Sequence, residues 1–445
     1  MRTTGTRAGL CLGFVFLAGS ISAQAADTVV GKFNGAGGCA ASSCHGSIQP
    51  KTVTRVPQNE YSIWAGQDKH ARAYQVLSNP VSVRIGKILK LEHPPNQTPR
   101  CLACHALAVA AEQRAETFDI SDGVSCESCH GPASGWLGQH TVKDWPHDRS
   151  IKELGMLDMR DLVKRSERCL TCHLGTSEKS VDHELIAAGH PDLTFELNLF
   201  SAVEPKHWKE PEANAWRGVQ TWAVGEAVQL REGMDRLARR AQSNTWPEYS
   251  EHDCFACHHA LTKPQESWRL NTDGYYDHRT VGVPAWNASR YSVFHFALHE
   301  LDANAEGQLN ADITKLQALL GALSTNRDEI AATAQQASTI AAQLANQLNS
   351  KPYDSAYTLR VMRDIANDGD AISLQGQRAA EQSAMALDSL FVAYKQNVKL
   401  TNEHDLRSAI DQLFQQLDNP SAYNAPRFSS QMQKVSALLA HETKL

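Results

Sequence analysis

The sequence predicts a mainly α protein in two parts: a loop-rich N-terminal region with few strands, then an antiparallel helical bundle. Two observations carry this. Composition shifts near residue 290: all nine tryptophans and fourteen of the seventeen prolines lie before it, and seventeen of the nineteen histidines lie at or before His299. From about residue 304 the chain turns to Ala, Gln, Leu and Asn, with apolar residues recurring every three or four positions, the period of an α-helix that buries one face.

In chain order, residues 1–25 read as a secretory signal peptide. Arg2 and Arg7 form a positive start, an apolar run extends from about Ala8 to Ile21, and Ala23-Gln24-Ala25 is a small-residue cleavage site. The run is short for a membrane span and no second one follows, so no span is expected in the mature chain. Cys11 lies inside the run and leaves with it. Loss of Arg2 and Arg7 takes the formal charge from −6 to −8, which argues against nucleic acid as a partner. The expected location is the periplasm, with the extracellular space as the other destination of such a signal.

Residues 26–290 form the first expected domain. Val219, Trp222, Ala223, Ala227, Leu230, Met234 and Leu237 mark one long amphipathic helix. The remainder reads as loops and short helices, from which a protein-only core is hard to build, so something other than side chains is expected to fill the interior. Residues 291–445 form the second. In "DEIAATAQQASTIAAQLANQL", Ile330, Ala334, Ala337, Ala341, Leu344 and Leu348 share one helical face. Leu359, Met362 and Ile365 repeat the pattern, as do Leu387, Leu390, Phe391 and Tyr394, then Leu406, Ile410, Leu413 and Leu417, then Met432, Val435 and Leu439. The connections "NSKPYDS" and "LDNPSAYNAP" carry the Pro, Asn and Asp of helix ends. His295 and His299 would share a helical face; without a third ligand type they read as structural.

Ten cysteines follow the signal segment, an even number that in an exported chain ordinarily means disulfides. Their spacing says otherwise. Eight of them stand in four repeats: Cys101-Leu-Ala-Cys104-His105, Cys126-Glu-Ser-Cys129-His130, Cys169-Leu-Thr-Cys172-His173 and Cys254-Phe-Ala-Cys257-His258. This is the attachment motif of haem c. Two thiols form thioethers with the vinyl groups on one side of the porphyrin, and the next residue offers its imidazole to the iron. Zinc ribbons do not need a histidine after every pair, and one redox dithiol would not repeat four times.

A fifth stretch, "GGCAASSCHGS", separates Cys39 from Cys44 by four residues and places His45 directly after. As a haem site its "AASS" loop must bulge so that both thiols reach the vinyls. As a disulfide it leaves His45 and Gly46 without a role. The first reading gives five haems c with His45, His105, His130, His173 and His258 as proximal ligands; the second gives four. Five haems in about 260 residues would lie close together and form much of the core, so electrons would pass between them.

These motifs resemble the cytochrome c554-like multihaem cytochromes. "GVSCESCHGPASGWLGQH" is close to that family's third haem site and the histidine after it, "EYSIWAGQDKHARAYQVL" resembles the segment after the first haem, and "RCLTCH" matches the fourth site. The resemblance spans roughly residues 36–175. Beyond it, "VDHELIAAGHPDLTFEL" and "DCFACHHAL" look like a longer, pentahaem branch with a helical tail. The wider first motif, the fifth motif and the tail depart from the family pattern. The resemblance implies that His140 is the distal ligand of the first haem and His70 that of the third. It also implies that the second haem, at Cys101/Cys104, can lack a distal ligand and hold high-spin iron.

Other ligands are read from the residues. Methionine is scarce in the haem region, where Met156, Met159 and Met234 stand alone, whereas histidines outside the motifs are abundant. Ligation by two histidines, with low potentials, is therefore expected. His183 and His190 are assigned to the fourth and fifth haems in either order. His93, eight residues before Cys101, either covers the second haem or ends the preceding helix. His207, His252 and His259 are reserves, with His147 and His278 also outside the motifs. Arg100, Arg165 and Arg168 lie where they would pair with haem propionates or stand as surface charge.

Three functions are compatible with this pattern. The leading one is a periplasmic electron carrier between redox partner proteins, in which the chain orients haems and tunes their potentials. The second is an enzyme with one open haem, at Cys101/Cys104, acting on a small nitrogen or sulfur compound; the chain has no lysine-terminated C-x-x-C-K site. The third is a subunit of a larger electron-transfer assembly or oligomer, docked through the C-terminal helices.

Overall fold

A computed structural model describes residues 31–442 apart from 55, 211–213, 259–279, 281 and 299–300. The signal segment, His259, His278 and His299 lie outside the described residues. Helix dominates the rest. Among the described residues the only β-structure is two isolated bridges, Phe33 with Arg114 and His252 with Trp286, so the mainly α expectation with few strands holds. No described helix is long and apolar enough to cross a membrane.

The C-terminal helices run at Ala303–Leu320, Arg327–Ser350, Ser355–Asn367, Gln377–Asn397, Glu403–Gln415 and Ala425–Ala440. Every apolar position of the repeating pattern is buried. The turns work as their composition suggests: Asp302, Asn326, Asp354 and Asn424 each cap the following helix by accepting a backbone amide, which removes one of the unpaired donors of a first turn. Helices joined by short turns lie side by side, as Ala303–Leu320 does with Arg327–Ser350.

The helix at Arg217–Gln242 departs from its amphipathic reading. Val219 to Leu230 is buried without interruption. The helix packs on Leu162–His173, Leu197–Val203, Arg327–Ser350 and Gln377–Asn397, so no face of that stretch remains for water. One apolar core therefore runs from Leu162 to Leu439. Composition changes near residue 290, whereas packing does not. Among the described residues the N-terminal part has one further small cluster, around Ala133, Trp136 and Met156.

Ion pairs fasten this helix to the loops beside it. Arg236 Nε and Nη2 donate to the Glu251 carboxylate at 2.8 and 3.1 Å, and Arg240 Nη1 donates to it at 2.5 Å. Arg236 Nη1 also donates to the Leu174 carbonyl at 3.0 Å. The two arginines hold the Glu251 carboxyl far below its usual range against the opposing effect of burial. Breaking a buried pair on one side leaves an uncompensated charge and costs about 3–5 kcal/mol, so Glu251→Gln should lower unfolding free energy by about that amount in urea titrations.

Two carboxyls in the core, Glu196 and Glu226, have no ion pair among the described residues; of the cations only Arg290 bears by its charge on Glu226. Glu196 accepts from the Asn198 and Leu199 amides and from the Ser389 hydroxyl, and Glu226 accepts from Gln382 Nε2 at 2.6 Å. Burial pushes Glu196 up to about 7 and Glu226 well above the carboxylate range. A carboxyl raised in the folded state binds its proton more tightly there than in the unfolded chain. Its stabilising effect is present below the ordinary carboxylate value and fades as pH rises toward the folded value. Glu196→Gln should therefore flatten the loss of stability between about pH 4.5 and pH 7, seen as a smaller change in urea midpoint across that window.

Candidate functional site

Each motif is wound so that its histidine comes back over its first cysteine. The second motif closes the helix Pro99–His105, the third is the helix Cys126–His130, and the fourth ends the helix Leu162–His173, which Asp161 caps. In α-helical geometry the histidine amide donates to the first cysteine's carbonyl, four residues back. The fifth motif makes the same bond from a 3₁₀ turn, His258 N–H to Cys254 O at 2.8 Å.

The first motif reaches this closure by another route. His45 N–H donates to Cys39 O at 3.2 Å, although two more residues intervene. They are looped out by a turn in which the Cys44 and Gly46 amides both donate to Ala41 O, at 2.8 and 3.0 Å. Gly46 is required, because a Cβ there would lie 1.8 Å from the Ala40 carbonyl oxygen. Cys39 and Cys44 are both free thiols, as are the other eight.

Four motif histidines face a second histidine from elsewhere in the chain. The ring centroids of His45 and His140 are 6.2 Å apart, of His70 and His173 6.2 Å, of His105 and His190 6.3 Å, and of His183 and His258 6.2 Å. An imidazole nitrogen sits about 2 Å from a bound metal and its ring centre about 1 Å further, so two rings sharing one ion are about 6 Å apart. All four pairs repeat that spacing.

The ring nitrogens complete the fit. A ligating histidine usually gives its other nitrogen to a carboxylate or a carbonyl, which fixes tautomer and orientation. His45 Nδ1 contacts the Glu60 carboxylate at 2.9 Å and His70 Nδ1 the Asp68 carboxylate at 3.1 Å. His105 Nδ1 donates to Ala73 O at 2.9 Å, His140 Nδ1 to Leu137 O at 2.7 Å and His190 Nδ1 to Pro191 O at 2.7 Å. In these rings Nε2 is left for an ion. Burial lowers His130 and His173 to about 4, so both imidazoles are neutral at pH 7, the form that binds metal. The donor set fits haem c.

The pairing corrects three assignments. His70 faces His173 of the fourth motif, not His130 of the third. His190 faces His105 of the second motif rather than the fourth or fifth. His93 is exposed, and its carbonyl accepts from the Thr98 hydroxyl at 3.1 Å; it ends a turn and does not cover the second site. His140 faces His45 and His183 faces His258. His130 stands apart from these pairs: it is buried, and the charges of His207, His45 and His147 bear on it. His207 packs on Trp208 at 5.0 Å, and His252 is buried in its bridge with Trp286. Met156 belongs to the small core cluster.

The sites adjoin one another. Cys39 lies beside Cys126 and Cys104 beside Cys172, which brings the first motif against the third and the second against the fourth. Arginines near the motifs reinforce these links. Arg100 binds Asp182 at 2.6 Å and Glu184 at 3.2 Å, beside His183. Arg168 donates to Ser128 O within the third motif, and Arg165 to Met159 O and Glu210. Sequence reading missed the partners Glu60 and Asp68. Asp68 stands two residues before His70, a spacing that signals a local carboxylate; Glu60, fifteen positions after His45, gives no such signal.

Residues 39–131 match the family model described as cytochrome c554 and c-prime. A curated relative, cytochrome c-554 of Nitrosomonas europaea, is 29% identical over 117 residues, 24% of this chain and 48% of the relative. The chain thus spans about half the length of the curated relative it matches. No solved structure matches. The matched stretch holds the first three motifs, and it is cytochrome c554-like.

Two substitutions test the geometry. His190→Ala should convert one low-spin iron to high spin, seen in the visible and EPR spectra, with every haem still attached. Gly46→Ala should cost the first site alone, reducing the intact mass by one haem.

Proposed function

We propose that this chain is an exported pentahaem c-type cytochrome that carries electrons between redox partner proteins along closely spaced, mostly bis-histidine haems. The observation that carries the reading is the set of four facing histidine pairs, each built on an attachment motif. The like winding of the first motif supports a fifth haem beside the four regular ones. Haem c, once bound, supplies one-electron oxidation and reduction. The chain's own part is to hold, orient and tune.

Cys39 and Cys44, Cys101 and Cys104, Cys126 and Cys129, Cys169 and Cys172, and Cys254 and Cys257 are the anchoring thiols in this reading. Two imidazoles on an iron, rather than an imidazole and a thioether, favour low potentials. Glu60 on His45 and Asp68 on His70 make those ligands more basic and act in the same direction. The thiol contacts between first and third, and between second and fourth motifs, support short steps between haem edges. Export to the periplasm follows from the leader-like start and suits covalent haem attachment. Docking of partners or of a second copy is the natural use of a bundle that carries no attachment motif.

A second reading is favoured by one observation. His130 lies outside the four facing pairs, so an open iron acting on a small nitrogen or sulfur compound belongs at Cys126/Cys129 rather than at Cys101/Cys104. The charges of His207, His45 and His147 bear on His130, and of these His147 and His207 stand outside the facing pairs.

Intact mass of the purified protein should show five attached haems; four would remove the first site from the account. Carbon monoxide added to the reduced protein should bind at no more than one haem. Binding that survives in wild type and is unchanged in His190→Ala would contradict the assignment of His190 to the second site.

A further inference from the structure

Beside His173 the core contains a narrow cleft with about 320 Å³ of atom-free space, part of it open to solvent. His173, Phe195, Gln229, Asn287, Arg290 and Arg378 are among its lining residues. Its polar groups lack a guest: Arg290 Nε and Gln229 Oε1 are buried without a hydrogen-bond partner. Two arginines in an interior need a counter-charge, because a buried cation without one is costly.

The local charges do not balance. Arg236, Arg240, Arg290 and Arg378 meet in this part of the core, and the carboxylates in contact with them among the described residues are Glu251 and Asp192. Glu251 is held by Arg236 and Arg240, and Asp192 by Arg378. Arg378 further donates to Ser250 O at 2.8 Å and His252 O at 3.4 Å. Arg290 has no ion pair among the described residues; the Glu226 carboxyl, on which its charge bears, is pushed well above the carboxylate range by burial. Burial lowers Arg290 to about 9, so it still carries its charge at pH 7. The chain makes room for it: Gly233 sits inside the 26-residue helix Arg217–Gln242, where a Cβ would lie 2.8 Å from Arg290 Cδ. Glycine is a poor helix former in a helix interior, so the guanidinium is accommodated at some expense.

We propose that this cleft receives a propionate carboxylate of the haem held at Cys169, Cys172 and His173, bound by Arg290 with Arg378 beside it. The inference rests on the reading of the fourth motif as a haem site. A haem carries its two carboxylates on the edge opposite the vinyls, and a carboxylate matches the planar guanidinium with paired hydrogen bonds. His173 lines the cleft, so the haem edge is within reach. Arg100, Arg165 and Arg168 already hold protein acceptors, which leaves the supply of this cation to the segment before the bundle and to the bundle helix Gln377–Asn397. The C-terminal half then forms part of a haem site and does more than dock.

The test is a redox titration of wild type, Arg290→Gln and Arg290→Lys, each first weighed intact. A nearby cation favours the reduced haem, which carries one positive charge fewer. Arg290→Gln should therefore lower the midpoint potential of one haem, leave the others in place and keep the haem count and low-spin spectrum. Arg290→Lys should restore much of the shift. Full haem content with all potentials unmoved in Arg290→Gln overturns this inference alone. A wild-type chain with no haem at the fourth motif overturns the functional reading, and this inference with it. Should Arg290→Gln not accumulate, an experimental structure of the wild-type holoprotein decides. A propionate oxygen about 3 Å from Arg290 Nε supports the assignment, and water or a free anion there, with both propionates elsewhere, refutes it.

Discussion

Two imidazoles held about 6 Å apart, one following a cysteine pair and the other brought from a distant segment, set the shape of the N-terminal half. His45 meets His140 and His105 meets His190, partners separated by most of a hundred residues. Loops with few apolar residues and almost no β-structure have little else to fix them. Each pair closes a long loop on a single point, and each such point stands where a protein-only core is missing. A covalent haem at every point would supply both the cross-link and the apolar volume. The histidine pairs, the short 3₁₀ turns and the small side-chain core are thus one feature seen three ways.

The C-terminal half is stabilised differently, by the ordinary burial of helical stripes. The helix Arg217–Gln242 joins the two regimes. It packs on the fourth motif's helix and on the bundle at once, and through Arg236 it holds the carbonyl of Leu174, the residue after His173, while gripping Glu251 three residues before Cys254. A rigid helix thereby sets the spacing between the fourth and fifth motifs. Electron transfer falls steeply with distance, so a support of this kind acts on function without touching a cofactor.

Much of this was legible in the sequence, and the misses have physical causes. The motifs announce themselves, because thioether chemistry demands adjacent thiols and histidine. The bundle helices follow from periodicity, since each buries one face. The helix Arg217–Gln242 read as amphipathic because its buried polar residues, among them Gln220, Glu226 and Gln229, look like a solvent face. In the structure Gln220 Nε2 donates to Asn349 O and Glu226 accepts from Gln382, while Gln229 lines the cleft beside His173. The histidines outside the motifs were recognisable by their type, yet not by their partners: His183 and His190 are seven residues apart and face the fifth and second motifs, because the chain turns between them at Gly189, whose φ of 110° few other residues adopt. Nothing in local spacing reports a contact made across the fold.

Low-temperature EPR of the oxidised protein tests the central claim most directly, because the angle between two axial imidazoles sets the signal of a low-spin iron. Parallel planes split the iron's dxz and dyz orbitals, and perpendicular planes leave them nearly equal, which makes the signal far more anisotropic. The rings of His45 and His140 are inclined by 10° and those of His183 and His258 by 30°, whereas His70 with His173 and His105 with His190 stand at 88° and 90°. The account predicts two classes of low-spin signal, an ordinary rhombic one and a strongly anisotropic one, in equal numbers for these four sites. A spectrum dominated by high-spin iron, or one with a single rhombic class, would contradict it.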